Sequence, residues 1–394
     1  MGKRYSVRLF FLLLVSCSFA ACSGGKRAEG GDAVWGRWVT VADPAVFETT
    51  QWDARKITPG KFGAEYGRMA ELANGDWVAV YTVYNNGGYT VDLNGGTSLE
   101  VSVSRDNCRT WEVISTLQEP GRDMDNGQIT VLKNEDLLLS CRSVRWQESY
   151  KVDVYKSEDG GKQWKFLSTV DENHGQEGEL GWPDKGVYEP HVSYISENEL
   201  AVFYANETHV TEKPGYSQII SEKISTDNGA TWGEEIFVAW DSERAYARPG
   251  MPVFTQMGDG RFIVVFEDGV DDGYNVHYKI SLDGKTWEEG LGTAIPDQVG
   301  GPYITTLSSN RLLVISNSCN VSYSDNNGET WITNQEPPWT GSFPDYCWAS
   351  CYQTGKNEIA VMGSAPRNDY GHKVQLRFGE MTTTKRGLFS FFKK

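Results

Sequence analysis

The sequence predicts an all-β fold, a six-bladed β-propeller with four-stranded antiparallel blades, and three observations carry that prediction. A phrase of the form Ser-x-Asp-x-Gly-x-Thr-Trp occurs five times, most cleanly as Ser225-Thr226-Asp227-Asn228-Gly229-Ala230-Thr231-Trp232, with the other copies ending at Trp111, Trp164, Trp287 and Trp331. Self-similarity at roughly 45–70 residues marks a repeat architecture rather than a chain of separate domains. Six hairpins, each with a strongly apolar second strand, run through the same region. Aromatic residues make up 12% of the chain and 42 residues are glycine, which suits many short strands joined by turns.

The second strands are read at Trp77 to Tyr81, Leu137 to Cys141, Leu200 to Tyr204, Phe262 to Phe266, Leu312 to Ser316 and Ile359 to Met362, each after a turn rich in Gly, Asn or Ser such as Ala73-Asn74-Gly75-Asp76. Near-continuous apolar strands are those buried on both faces, as the strands of stacked blades must be. Trp35 to Val41 and His372 to Phe378 alternate well enough to be two further strands. Pairing the first with the last blade would close the ring and remove an open edge. The expected organisation is a signal segment at 1–22, a polar tether at 23–34, a propeller at 35–381 and a basic and aromatic tail at 382–394.

The first eight residues are basic, Leu9 to Val15 is apolar but too short to span a bilayer, and Leu14-Val15-Ser16-Cys17 resembles the bacterial lipoprotein cleavage box, with Phe19-Ala20-Ala21-Cys22 as a looser match. The expectation is an exported, membrane-anchored lipoprotein with lipid on Cys17 or Cys22; cleavage as an ordinary secretory signal near Ala21 is the alternative. Removing Lys3, Arg4 and Arg8 takes the formal charge from −16 to −19. Such a surface argues against a nucleic-acid partner, which needs a basic footprint. The remaining cysteines, Cys108, Cys141, Cys319, Cys347 and Cys351, show no metal-ligand spacing. They are expected to be mostly small buried hydrophobes. No metal or cofactor is predicted, and a monomer is the default.

In a blade, the start of the innermost strand and the end of its antiparallel neighbour share one face. The repeated phrase joins the third and fourth strands and lies on the other. It resembles the Asp-box of sialidases and related propeller glycosidases. Its Asp and Ser bond to backbone within a turn, Gly supplies a positive φ and Trp wedges between blades. The copies have drifted, with Cys108 for Gly, Asn326 for Asp, Gln163 for Thr and Asp283 one residue nearer its Trp, as a structural turn tolerates and a catalyst would not.

The opposite mouth collects Arg68, Asp125, Asn126, Tyr188, Glu189, Asn206, Glu207, Arg248, Glu267, Tyr303 and Trp348. Acids, amides, arginines and aromatic rings together suit carbohydrate: rings stack, amides and Arg bind hydroxyls, acids do the chemistry. Glu189 enters a first strand between Tyr188 and Pro190, where lost hydration would raise its pKa; Glu267 closes Phe262 to Phe266. On adjacent blades the two can approach to about 5 Å, the spacing of a retaining glycosidase. The residues alone leave open that either simply pairs with Arg248 or another rim cation.

Gly186-Val187-Tyr188-Glu189-Pro190, Phe203-Tyr204-Ala205-Asn206-Glu207, Ala247-Arg248-Pro249-Gly250-Met251 and Val264-Val265-Phe266-Glu267 follow in an order resembling glycoside hydrolase family 93, the exo-α-1,5-L-arabinanases. Asp125-Asn126-Gly127 and Gly300-Gly301-Pro302 fit the same pattern. The resemblance covers most of the chain after about Gly60. It implies a retaining exo-acting hydrolase that releases arabinobiose from linear arabinan or acts on a related plant polysaccharide, with Glu189 as acid/base and Glu267 as nucleophile. Tyr188 stands where the family is associated with Trp, and Pro249 where it is associated with Asp. An exo-α-sialidase is the alternative within the same superfamily. For that, Arg68-Met69-Ala70 stands in for an opening Arg-Ile-Pro, Arg248 would be a second arginine and Tyr346 the nucleophile, while Gly300-Gly301-Pro302-Tyr303 supplies no third arginine. A lipid-anchored propeller that binds glycan without cleaving it is the alternative of a different class.

Overall fold

The computed structural model describes residues 32–381 except 45–46, 51–58, 86–87, 91, 270–271, 342 and 368–370. Cys17, Cys22, most of the tether and the C-terminal tail lie outside the described residues. Six four-stranded antiparallel sheets follow one another as blades. From inner to outer strand, blade 1 is Ala64–Glu71, Trp77–Tyr84, Thr97–Ser104 and Glu112–Leu117, and blade 2 is Asp123–Val131, Leu137–Arg145, Ser149–Ser157 and Lys165–His174. Blade 3 is Val187–Tyr194, Leu200–Asn206, Ile219–Ser225 and Ile236–Ala239, and blade 4 is Arg248–Gln256, Phe262–Gly269, Asn275–Ser281 and Thr293–Val299. Blade 5 is Tyr303–Thr306, Leu312–Ile315, Val321–Ser324 and Ile332–Thr333; blade 6 is Cys347–Gln353, Glu358–Pro366, His372–Met381 and the N-terminal Ala33–Ala42. A small hairpin, Phe47–Thr50 with Pro59–Phe62, separates that N-terminal strand from blade 1. Among the described residues no helix is long and apolar enough to cross a membrane.

The chain closes as the alternation at its ends suggests. Ala33–Ala42 pairs antiparallel with His372–Met381 and gives the last blade its outer strand. Asn334 of blade 5 clamps the start of that strand, accepting from the Ala33 amide at 2.7 Å and donating to its carbonyl at 3.2 Å. The predicted apolar second strands are buried along nearly their whole length, Leu200–Asn206 without a break. All five described cysteines are buried and unpaired.

The Asp-box turns join the third and fourth strands of blades 1 to 5. In the cleanest copy, Asp227 accepts from the Thr231 amide at 2.9 Å and the Thr231 hydroxyl at 2.6 Å, while Ser225 Oγ takes the Gly229 amide at 2.8 Å. Asn326 serves in place of Asp because the acceptor needed is one side-chain oxygen, which takes the Thr330 amide at 3.0 Å. Cys108 occupies the Gly position with φ 61°. Three of the five Trp reach back to the preceding blade by a hydrogen bond, Trp164 to Ser115 at 3.2 Å, Trp232 to Ser168 at 3.1 Å and Trp287 to Glu222 at 2.8 Å, while the indole N–H groups of Trp111 and Trp331 are buried without an acceptor.

Glu222 is the exception among these acceptors. It is fully buried, its second oxygen has no partner, and burial pushes its carboxyl up to about 8 against the Trp287 hydrogen bond. A carboxyl raised in the fold holds a proton that the unfolded chain releases near 4.5. Stability is therefore lost as pH rises between those values. Glu222→Gln keeps an acceptor for Trp287 without the ionisation. Its melting temperature at pH 9 is expected to exceed wild type by about 2–4 °C, with no difference at pH 4; thermal denaturation at the two pH values checks this.

Candidate active site

One structural device recurs at the mouth. Each blade carries, in its inner strand or just before it, a residue in the left-handed region: Tyr66 (φ 55°), Asn126 (53°), Glu189 (59°), Met251 (53°), Gly301 (47°) and Trp348 (50°). In five blades it coincides with a register shift against the second strand, between Glu65 and Arg68, Asp125 and Gln128, Tyr188 and His191, Gly250 and Val253, and Cys347 and Ser350. In blade 5 it precedes the strand. A bulge of this kind breaks the ladder and re-aims a side chain and an amide. Each left-handed residue is followed by Gly, Pro or Ala. Gly127 is needed for contact, since a Cβ there would lie 2.8 Å from Val80 of the preceding blade.

The freed amides find side-chain acceptors. Met251 N–H donates to Glu189 at 2.7 Å, Gly301 N–H to Glu267, Trp348 N–H to Asn317 at 2.7 Å and Tyr66 N–H to Ser364 at 3.2 Å. In each pair the acceptor belongs to the preceding blade. Asn126 N–H instead takes Asp125 of its own strand at 2.7 Å. Glu189 and Glu267 are thereby tied into successive blades, and Gly250 lies between them. A Cβ on Gly250 would sit 3.5 Å from Glu189 Oε2 and 3.8 Å from Glu267 Cγ, so the two side chains flank one point.

Beside them is a cavity of about 210 Å³ lined by Glu65, Tyr66, Tyr84, Thr97, Asp123, Asp125, Asn126, Arg142, Trp146, Glu189, Met251 and Trp348. Every lining strand residue comes from the beginning of an inner strand, the end of a second strand or the start of a third, the face opposite the Asp-boxes. Asp125 forms an ion pair with Arg142 at 2.8 Å and also accepts from the Thr82 hydroxyl. Asp123 accepts from Trp146 Nε1 at 2.9 Å and the Thr97 amide at 3.0 Å, and burial still pushes it up to about 6. Loss of hydration first, and the neighbouring Glu267 carboxylate second, push Glu189 up to about 7, against the Met251 amide and Arg142. Glu267 is also raised by burial, with the Gly301 amide favouring its ionised form.

Of the residues expected at the site, Asp125, Asn126, Glu189 and Trp348 line the cavity, and Glu267 stands beside it. Arg68 and Tyr303 lie beneath. Arg68 is 1% exposed; it donates to the Gly67 and Trp348 carbonyls at 2.8 Å each, with its guanidinium 3.9 Å from the Tyr66 ring centre. Tyr303 packs on Tyr352 and His191. Asn206 is buried and turned outward, donating to Glu235 at 2.8 Å and accepting from the Thr208 amide at 2.8 Å. Glu207 takes the Gly186 amide at 2.9 Å and pairs with Arg248, so the rim cation is matched by Glu207 rather than by Glu189 or Glu267. Tyr188 packs edge-on against Tyr150 at 5.4 Å. Tyr346 stacks on the buried Trp339 at 5.7 Å.

Glu65, Tyr84, Thr97 and Trp146 were not legible as site residues. Trp146 follows a second strand, the position that already marks the mouth, and its aromatic character was the available signal. Asp268, Asp272 and His277 also converge, with one potential ligand atom each within 4.8 Å. Their partners make this an ion-pair network: Asp268 is matched by Arg244 at 2.9 Å, and His277 bridges Asp272 at 2.5 Å and the Leu291 carbonyl at 3.0 Å.

The sequence matches no protein-family profile and no curated protein. Its structure is similar to solved propeller hydrolases. The family 93 α-L-arabinofuranosidase of Fusarium graminearum, solved with arabinobiose, superposes with a TM-score of 0.69 at 18% identity, over 88% of this chain and 98% of that one. The α-L-arabinanase of Penicillium chrysogenum, also solved with arabinobiose, gives the same values. A Hadza microbial sialidase gives 0.57 at 12% identity, over 81% of this chain and 66% of that one. The chain thus shares the fold of these enzymes.

Arg68 yields a test of the site's construction. Arg68 is a buried clamp on the bulges of blades 1 and 6; its loss leaves the Trp348 carbonyl without its donor, the Gly67 carbonyl with the Ser350 hydroxyl alone, and a void, so Arg68→Met is expected to lower unfolding free energy by about 2–4 kcal/mol. An arginine exposed for ligand binding would change it by less than about 0.5 kcal/mol. Urea denaturation distinguishes the two.

Proposed function

We propose that the protein is a retaining, exo-acting glycoside hydrolase that cleaves α-1,5-linked L-arabinan, or a related plant polysaccharide, with Glu189 as general acid/base and Glu267 as nucleophile. The observation that carries the reading is that these two acid side chains flank one point beside Gly250, near enough for the Glu267 carboxylate to raise Glu189. The fold shared with enzymes solved with arabinobiose supports the substrate class.

The residues divide the work by their environments. A carboxyl held near 7 is protonated often enough at neutral pH to give its proton to the leaving glycosidic oxygen. Glu267 attacks the anomeric carbon as the C–O bond breaks, forming a glycosyl ester and releasing the shortened chain. Glu189, now ionised, takes a proton from water as that water attacks the same carbon, and Glu267 leaves as carboxylate. Tyr66, Trp146 and Trp348 offer faces for sugar rings, and Asp125, Asn126 and Arg142 offer hydrogen bonds to hydroxyls.

A sialidase would need arginines free to grip a substrate carboxylate. Arg68 is buried and Arg248 is engaged by Glu207, which disfavours that alternative.

Product chromatography tests the reading. Residues 23–394 are incubated with linear α-1,5-arabinan and, separately, with sialyllactose. Arabinobiose from the first alone is expected, with kcat falling by about 10³ or more in Glu267→Gln and Glu189→Gln. The wild-type rate should decline as pH rises through about 7, where Glu189 loses its proton. Sialic acid would overturn the reading. Glycan binding without turnover, unchanged in both variants, would make the protein a binding module.

A further inference from the structure

The aromatic side chain with the greatest exposure among the described residues stands on the same face as the cavity. Trp182 is 92% exposed, although an indole is among the side chains with most to gain from burial. It lies on the connection from the outer strand of blade 2 to the inner strand of blade 3. Both ends of that connection open on the mouth, because the Asp-box turns occupy the other face. The segment leads within a few residues to Glu189.

The turn that carries Trp182 is tied down on both sides. Leu180 is buried against blades 2 and 3, and its amide donates to the Gln147 carbonyl at 3.1 Å. The Lys185 amide donates to Leu180 at 3.2 Å, and Asn173 donates to the Lys185 carbonyl at 2.9 Å. Gly181 and Asp184 form a bridge across the turn. Gly181 is packed so tightly on the Gln147 side chain that a Cβ would lie 2.2 Å from it. Gln147 in turn follows Trp146, which lines the cavity. The indole is therefore presented by anchored backbone next to the cavity wall.

The surroundings indicate what it meets. Gln176, Glu177 and Glu179 of the same segment are exposed, so Trp182 is one flat apolar face among hydrogen-bonding groups. A stable protein interface needs roughly 800 Å² per partner, and a single ring set in polar loop does not provide it. One sugar ring needs no more than this, an apolar face to cover and polar neighbours for its hydroxyls. The cavity, at about 210 Å³, is smaller than the ~300–1,000 Å³ usual for ligand sites, so a polysaccharide whose end fills it must leave further sugars outside.

We propose that Trp182 is a subsite outside the cavity, a stacking platform for a sugar ring of the polymer, which sets preference for long chains over short ones. This rests on the glycoside hydrolase reading. The test compares wild type, Trp182→Ala and Trp182→Tyr on α-1,5-arabino-oligosaccharides of three and six sugars. In Trp182→Ala, kcat/KM on the hexamer is expected to fall about tenfold and through KM, while on the trimer it changes less than twofold. Trp182→Tyr keeps most of the hexamer rate. An equal fall on both lengths, or no fall on either, would overturn the proposal. If wild type cleaves neither, the hydrolase reading fails for arabinan, and affinity electrophoresis through a panel of neutral plant polysaccharides judges the platform separately. Retardation of wild type that is lost in Trp182→Ala sustains it; equal migration, or no retardation at all, overturns it.

Discussion

The mouth of this propeller depends on a backbone conformation that four of its six bearers, Tyr66, Glu189, Met251 and Trp348, do not favour. All five left-handed residues within the inner strands are other than glycine, and each of them except Asn126 costs on the order of 1–3 kcal/mol. The blades over-determine them. Asp-box turns lock the far ends of blades 1 to 5, tryptophans bridge to preceding blades, and Arg68 holds the bulges of blades 1 and 6 from below. What the strain provides is a set of inner-strand amides released from the ladder and offered to side chains of neighbouring blades.

The electrostatics of the candidate pair follow from that arrangement. Glu189 and Glu267 each accept one bulge amide from the next blade, which fixes their direction without fully replacing the water they lost. Loss of hydration pushes both carboxyls upward, and the Glu267 carboxylate adds to the rise of Glu189. Gly250 between them makes room for the Gln218 amide, since a Cβ there would lie 2.9 Å from its Nε2. Glu207 and Asp125 differ from this pair in being matched by a guanidinium each, Arg248 and Arg142, although burial still raises Glu207.

Much of the fold was legible because it rests on local chemistry. The Asp-box phrase records a turn that bonds to itself, and the apolar second strands record burial on both faces. Strand order then put Glu189 and Glu267 at one mouth. What strand order does not give is the direction of a side chain near a bulge. Arg68 points beneath the cavity because an extra residue in its strand changes which face each position shows, and Tyr303 and Asn206 also turn away from the cavity. The ring of bulges left a trace that was readable only in retrospect: Gly67, Gly127, Pro190, Pro252, Pro302 and Ala349 each follow a left-handed residue. Trp146 and Trp182 are set by contacts between loops, which no period in the sequence records.

The most direct measurement of the central claim is peptide mapping by mass spectrometry after reaction with an activated, 2-fluorinated arabinofuranosyl donor that slows release of a covalent intermediate. The account predicts a single adduct, on the peptide containing Glu267. An adduct on Tyr346, or turnover of the donor with no adduct under trapping conditions, would contradict it.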